Sequence, residues 1–256
     1  MDKKVYFASD LHLGLPSFIE SHNRERLFVR WLDMIKNDAS EIFLLGDIFD
    51  FWFEYRRVVP KGFTRFLGKI AEITDSGIPV HFFTGNHDVW MFDYFEKELG
   101  VSIHREPVRR TFDGKSFLIA HGDGLGPGDR GYKLLKGIFT NRVLQWLFAR
   151  LHPNFSMWFG NRWSVNSRYS KEISHVFKGE EELITNFSRI ELASNYHDYF
   201  VFGHWHSPVL YPLNEKSNMV LLGDWIVNFT YAVWDGNTFS LCRFGKNEEV
   251  EVIAMR

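Results

Sequence analysis

The stretch Glu41-Ile-Phe-Leu-Leu-Gly46-Asp47-Ile-Phe-Asp50 sets four apolar residues before a glycine and two carboxylates three residues apart. An apolar run bounded by a turn signal predicts a buried parallel strand. Gly46 allows the sharp turn that delivers Asp47 at the strand's carboxyl end. Open α/β sheets put their ligands at that edge. A carboxylate there serves equally as general base, metal ligand or cap for the next segment, so the choice rests on the surrounding chain.

Upstream, a predicted strand over 5–8 runs into Ser9-Asp10-Leu11-His12. Leu27, Phe28, Trp31, Leu32 and Ile35 then recur at helical spacing and predict a helix over 23–36. With the strand over 41–45 this makes a βαβ unit and favours parallel neighbours. Downstream, a helical pattern over 61–76 leads to a strand over 79–84 that ends in Gly85-Asn86-His87-Asp88. A short helix over 91–99 follows, with strands predicted over 101–104, 108–112 and 116–120. The last of these delivers His121-Gly122-Asp123. A polar helix over 180–196 precedes a strand over 199–202 ending in Gly203-His204-Trp205-His206. Runs over 219–222, 231–234, 239–243 and 250–253 suggest a second, more antiparallel sheet.

Five turns, each after an apolar run, therefore carry Asp10 and His12; Asp47 and Asp50; Asn86, His87 and Asp88; His121 and Asp123; and His204 and His206. Taken singly, each is ordinary turn chemistry. Five at one strand edge point to a shared site. Oxygen and imidazole donors without a thiolate suit a divalent ion such as Mn, Fe or Zn. Seven ligands match two ions bridged by one carboxylate, the clamp for an in-line phosphoryl displacement, and Asp47 is the natural bridge.

The ordered blocks Asp-x-His, Gly-Asp-x-x-Asp, Gly-Asn-His-Asp, His-Gly-Asp and Gly-His-x-His, from Asp10 to His206, resemble the calcineurin-like metallophosphoesterase superfamily. The resemblance implies an α/β fold, a four-layer β-sandwich flanked by helices. It implies one metal on Asp10, His12, Asp47 and His206 and a second on Asp47, Asn86, His121 and His204, with Mn2+ favoured and Fe or Zn as alternatives. It assigns His87 to the phosphate with Asp88 orienting it, and Asp50 and Asp123 to orienting the ligands.

Residues 126–178 break the strand-and-helix rhythm and read as a helical lid inserted in a single domain of residues 1–256. Within 128–178 there are nine Lys or Arg against two acids, a net of +7, in a chain whose total is −2. Bulky residues including Phe139, Trp146, Phe148, Phe155, Trp158, Phe159 and Trp163 accompany these charges. A separate helical core or a dimer interface would use such residues. A lipid-lined pocket beside a diphosphate, near anionic headgroups, would use both properties.

The aromatic run after Asp47, His121-Gly-Asp-Gly-Leu125 leading to Asp129 and Gly131-Tyr132, and Asn166-Ser167 narrow the resemblance. They are similar to the branch of that superfamily that cleaves UDP-2,3-diacylglucosamine in lipid A synthesis. That likeness implies water attack at the α-phosphorus, with UMP and 2,3-diacylglucosamine 1-phosphate as products. Candidate substrate contacts are then Asp129, Asn166, Ser167, Arg168 and Lys171, with Asn86, His87 and His204 beside the phosphate. Better-known members of the branch carry arginine at the position of His87. The alternatives are a dimetal hydrolase of another nucleotide diphosphate or phosphodiester, and a non-catalytic binding scaffold on the same fold.

The net charge argues against bulk attraction to nucleic acid, and a lid with mixed aliphatics argues against a nuclease groove. One cysteine, Cys242, excludes an internal disulfide. No run of 18 apolar residues is present, and the apolar run at 5–8 is too short for a signal peptide. The expectation is a cytoplasmic protein held peripherally at the inner membrane, acting on a lipid-linked UDP-sugar, with no nucleic-acid partner. Its oligomeric state is left open.

Overall fold

The computed structural model describes residues 3–168 and 176–256, with the side chains of 165–168 outside that description. The chain alternates β1 (Lys4–Ala8), α1 (Phe18–Ile35), β2 (Ala39–Leu44), α2 (Thr64–Asp75), β3 (Val80–Phe83), α3 (Tyr94–Leu99) and β4 (Ser102–His104). Then come β5 (Val108–Phe112) and β6 (Lys115–Ala120), and, in the segment read above as a lid, helices α4 (Arg130–Thr140), α5 (Arg142–Phe148) and α6 (Pro153–Arg168). A 3-10 turn at Gly179–Glu181 and α7 (Leu183–Ser194) lead into β7 (Tyr199–Phe202), β8 (Val209–Pro212) and β9 (Asn218–Leu221). The chain closes with β10 (Thr230–Trp234), β11 (Phe239–Phe244) and β12 (Val250–Met255).

Two mixed sheets pack face to face, in the orders β12-β11-β10-β1-β2-β3-β4 and β5-β6-β7-β9-β8. Strand alternation assigns each face. In β1, Val5 and Phe7 enter the core between the sheets, where they meet Phe117, Ile119 and Val201 of the second sheet. Tyr6 and Ala8 point the other way, with Leu27, Phe28 and Trp31 of α1. The far face of the second sheet, through Leu118, Phe200 and Phe202, packs on Ile184 of α7. The result is helices, sheet, sheet and helix, the expected four layers.

The C-terminal strands do not form a sheet of their own. β10, β11 and β12 extend the first sheet antiparallel from β1, while β8 and β9 join the second. Burial explains the division, because Trp234 and Leu241 complete the core between the sheets. Helix α1 starts five residues ahead of the expected Asn23. Its first residues Phe18 and Ile19 are exposed and so stand outside the apolar period. An N-cap sets the start: Ser17 Oγ accepts from the Glu20 amide at 3.3 Å and donates to Glu20 Oε2 at 2.7 Å.

Two helices in this layer are capped from a distance. Buried Glu25 of α1 accepts the Arg65 and Phe66 amides at the start of α2, at 2.9 and 3.1 Å. Glu54 takes the Phe92, Asp93 and Tyr94 amides at the start of α3. Each carboxylate satisfies orphan donors that the helix's own N-cap leaves open.

Candidate metal centre

All five turns lie beyond the carboxyl ends of parallel strands: β1, β2 and β3 in one sheet and β6 and β7 in the other. Backbone bonds continue the pairing past the strands, from Asp10 N to Gly46 O at 3.1 Å, His12 N to Asp47 O at 2.9 Å and Gly203 N to His121 O at 2.9 Å. The turns are thus held to one another before any ligand binds. Two glycines make room. A Cβ at Gly85 would sit 2.2 Å from Asp47 Oδ1, and one at Gly203 would sit 2.7 Å from Asp10 Oδ2.

The backbone is strained where the donors sit. Asp10, His12, Asp47, His204 and His206 have φ of 56°, 44°, 52°, 69° and 48°. Left-handed backbone costs an L-residue roughly 1–2 kcal/mol, so five such positions at one locus need a local return. The surrounding turn bonds hold that backbone and aim the donor atoms at a common point.

Three groups of donor atoms lie within 4.8 Å of one another: Asp10, His12 and His206; Asp47, His121 and His204; and His12, Asp47 and His87. Asp47 and His12 recur, which brings the groups into one site. Asp10 Oδ1 stands 3.3 Å from His206 Nε2 and 3.8 Å from His12 Nε2, and His12 Nε2 is 3.9 Å from Asp47 Oδ2. On the other side, His121 Nε2 is 3.4 Å from both Asp47 Oδ2 and Asn86 Oδ1.

The donor chemistry fits divalent cations. His121 Nδ1 is 2.6 Å from the Leu45 carbonyl, an acceptor only, so that nitrogen carries the hydrogen. In the neutral ring Nε2 then turns a lone pair toward the oxygens of Asp47 and Asn86, three acceptors with no proton among them. Asp10 Oδ1 is buried and faces the Nε2 atoms of His206 and His12. Protons compete for the same place. Burial opposes charge on His121, but the Asp47 carboxylate outweighs it and pushes the imidazole up to about 10. The Asp10 and Asp47 carboxyls resist burial in turn and are held below the usual range by histidines. For His204, burial and then the neighbouring His121 lower the pKa. A cation satisfies both the acidic oxygens and the imidazole lone pairs.

The surrounding residues divide by what they touch. Asp50 Oδ1 lies 3.6 Å from His12 Nδ1, and the Asp50 carbonyl is 3.0 Å from His87 Nδ1. Asp88 takes a different part from the orienting role expected beside His87. Its two oxygens accept the amides of Gly85, Asp47, Ile48 and Phe49, at 2.7, 3.3, 2.8 and 3.4 Å. It therefore pins the turns after β2 and β3 together. Burial, and next the negative Asp47, raise its carboxyl to about 7.

Asp123, expected to orient ligands, instead accepts hydrogen bonds from the lid, from Tyr132 Oη and from Lys136 Nζ at 2.8 Å. Asp129 is exposed and caps α4, its Oδ1 accepting from the Tyr132 amide at 3.3 Å. Asn166, Ser167 and Arg168 belong to α6, but their side chains lie outside the described residues, as does Lys171 altogether.

Sequence reasoning misses Ser164. This buried residue of α6 sets its Oγ 2.9 Å from His87 Nδ1, so α6 reaches His87 directly. Helix α6 also presses Gly160 onto the Phe51 ring, where a Cβ would lie 2.2 Å away. At the lid's other end Trp90 stacks on Phe148 with ring centroids 5.7 Å apart and donates to the Phe139 carbonyl at 2.8 Å. The outer lid surface is left apolar, with Leu134, Val143, Trp146, Leu147 and Trp158 at least half exposed.

A model of the calcineurin-like phosphoesterase family matches residues 3–208. A UDP-2,3-diacylglucosamine hydrolase of Porphyromonas gingivalis is 40% identical over 94% of this chain and 97% of its own length. The enzyme of the same name from Histophilus somni is 27% identical over 87% of this chain and 92% of its own. Among solved structures, the E. coli phosphoesterase Yfce shares the fold, with a TM-score of 0.50 at 16% identity over 99% of this chain and 98% of its own. The family model over residues 3–208 and the 40% identical relative together show that the chain belongs to the calcineurin-like phosphoesterase family.

Proposed function

We propose that this protein hydrolyses UDP-2,3-diacylglucosamine to UMP and 2,3-diacylglucosamine 1-phosphate. The observation that supports the reading is a cluster of potential metal donors in a phosphoesterase fold, beside helices α4 to α6, which expose apolar side chains and whose Ser164 contacts His87. The name and the near full-length match of the P. gingivalis relative support the same substrate.

Asp10, His12, Asp47 and His206 would hold one divalent ion, and Asp47, Asn86, His121 and His204 the other, Mn2+ being the ion we favour. Bound there, such ions supply an acidified water and neutralise charge on the phosphoryl oxygens. Water oxygen bonds to the α-phosphorus, the bond from that phosphorus to the bridging oxygen breaks, and the sugar phosphate leaves with the bridging oxygen. Asp47 stands with His12 in one donor group and with His121 and His204 in another, which supports it as the bridge. The Asp50 carbonyl takes the hydrogen on His87 Nδ1, leaving Nε2 to serve the phosphate. Asp88 keeps the two turns in register.

The lid selects the lipid. Its exposed aliphatics and tryptophans suit acyl chains, and its basic residues suit diphosphate and anionic headgroups. Asp129, Asn166, Ser167, Arg168 and Lys171 are candidate contacts to the sugar and acyl amides. No helix among the described residues is long and apolar enough to cross a membrane. We infer peripheral attachment through the lid at the cytoplasmic face of the inner membrane.

The test is an assay of purified protein, stripped of metal and reloaded with Mn2+, on UDP-2,3-diacylglucosamine and on bis-p-nitrophenyl phosphate. Strong preference for the acylated UDP-sugar, with oxygen from labelled water recovered in UMP, is the expected result. Preference for the small diester would assign the lid to another substrate.

A further inference from the structure

A cavity outside the candidate metal centre is lined by α1 and by residues that follow β9. It is a groove of about 620 Å³ between α1 and the 225–229 loop, with a volume in the range of small-molecule sites. Leu27, Trp225 and Phe229 supply an apolar wall, and Arg24, Arg26, Arg30 and Lys246 line the remainder.

The groove is a built site. Arg24 is 6% exposed, and its Nε is buried without a hydrogen-bond partner. Its Nη2 is already committed, donating to the carbonyls of His12, at 3.2 Å, and Leu15. A buried guanidinium N–H left unsatisfied costs more than the net value of a typical hydrogen bond, so an acceptor entering the groove has a ready gain. The other cations differ in their commitments. Arg30 shares its charge with Glu248 at 3.1 Å, while Arg26 and Lys246 are exposed and bond to no carboxylate among the described residues. The acids nearby are engaged: Glu20 with Ser17, and Asp224 with the amides of Ile226, Val227 and Asn228. Burial depresses the Arg24 guanidinium to about 10, which leaves it charged at neutral pH.

The walls are fixed before a ligand arrives. Trp225 N donates to the Asp10 carbonyl at 3.1 Å, and Asn228 Nδ2 donates to the His206 carbonyl at 2.8 Å. With the Arg24 bond to His12, the groove is anchored on the backbone of three metal-centre residues. A preformed wall reduces the ordering cost of binding.

We propose that this groove binds a small organic anion, a phosphate or carboxylate head on an apolar body, with the head on Arg24, Arg26 and Lys246 and the body on Trp225 and Leu27. Such a ligand has its acidic group satisfied by charge-assisted bonds and its body removed from water.

The test is calorimetric titration of the metal-loaded protein with octyl phosphate, octanoate, octane-1-sulfonate, octanol and inorganic phosphate. A parallel series uses the Arg26→Glu/Lys246→Glu double variant, whose exposed positions spare the core and the metal centre. The expected result is that the three amphiphilic anions bind, octanol and inorganic phosphate bind at least about tenfold more weakly, and the double variant loses about tenfold or more for the anions. Equal affinity in the double variant would place the anion elsewhere and overturn the proposal, as would octanol binding as tightly as the anions or no anion binding at millimolar concentration. An arm with phosphatidylglycerol vesicles separates the sources. Vesicle binding weakened by the double variant identifies a lipid headgroup as the anion, and vesicle binding unchanged while soluble anions are lost identifies a free organic anion.

Discussion

Ser164 Oγ on lid helix α6 and His87 Nδ1 in the turn after β3 are 2.9 Å apart, and this bond joins the lid to the metal centre. Nδ1 also faces the Asp50 carbonyl at 3.0 Å, so its hydrogen is held between two oxygens, and under the proposed function proton exchange with substrate would fall to Nε2. His87→Ala removes that group, and its kcat should fall by roughly 10²–10⁴-fold with two metals retained. Ser164→Ala removes only one of the two oxygens, and a hydrogen bond of about 0.5–1.5 kcal/mol predicts a loss of a few-fold to about tenfold. Metal analysis beside steady-state kinetics checks both. If metal is lost with His87, the residue is a ligand rather than a phosphate contact.

Gly160 provides a second handle on the same joint. Its missing Cβ is space taken by the Phe51 ring, so Gly160→Ala must lift α6 or turn Phe51. Overpacking of this kind costs about 1–3 kcal/mol. The Ser164 hydroxyl moves with the helix, and kcat should drop further than in Ser164→Ala. Phe51→Leu in the Gly160→Ala background should restore much of the loss, and a double-mutant cycle measures the coupling. Additive effects would show that the close approach has no bearing on the site.

Ser164 and Gly160 make contacts that no local sequence pattern marks. Asp10, Asp47, Asn86, His121 and His204 were legible because each sits a few residues past an apolar run, a local pattern that strand burial imposes. The Ser164–His87 bond spans 77 residues and leaves no local mark. Asp88 looked like a partner of its neighbour, yet its acceptors reach the amides of Ile48 and Phe49 about forty positions away. The start of α1 was hidden because Phe18 and Ile19 are apolar but exposed. Likewise, strand periodicity identifies β10 to β12 but carries no information on which sheet edge they join. The αβ order was readable, and the pairing depended on completing the core around Trp234.

Asp47 has two tasks, and a pair of substitutions separates them. Oδ1 accepts the His87 amide at 2.9 Å, while Oδ2 is the oxygen nearest to His12 and His121. Asp47→Asn can keep the amide bond but loses the bridging charge, so bound metal should fall from two ions toward one and turnover should collapse. Asp47→Ala should do the same and also lose thermal stability in the metal-free protein, because the His87 turn is released. Elemental analysis and thermal melts of the metal-free chains test this. Full metal content in Asp47→Asn would contradict the bridging role.

Away from the metals, His104 makes stability depend on pH. It sits against His81 at 3.0 Å, and burial, then the His81 and Arg110 charges, depress its pKa to about 4 against 6.5 when unfolded. The unfolded chain therefore binds more protons between those values, and stability must rise with pH there. The contribution is complete above about pH 6.5 and is lost as pH falls toward about 4. Urea unfolding at pH 7 and 4.5 should show a shallower acid loss in His104→Gln than in wild type. Parallel losses would assign the acid sensitivity to other groups.

The lid's outer aromatics separate substrate choice from chemistry. Trp158 is 57% exposed and Phe159 is 44% exposed, so truncating either to alanine removes little buried surface and should leave the melting temperature nearly unchanged. Phe159 lies 6.2 Å from Trp163 and 6.4 Å from Phe155 between ring centroids, a row of rings that suits an acyl chain. If these rings bind lipid, each substitution should raise KM for UDP-2,3-diacylglucosamine roughly ten- to a hundredfold, since burying an aromatic side chain is worth about 1.5–3 kcal/mol. Hydrolysis of bis-p-nitrophenyl phosphate, which has no acyl chain, should stay within about twofold of wild type, because neither ring belongs to the groups that converge on Asp47. Equal loss on both substrates, with a lowered melting temperature, would mean that the row supports the lid itself. Loss confined to the acylated substrate places the selection of substrate in α6, on the helix that also brings Ser164 to His87.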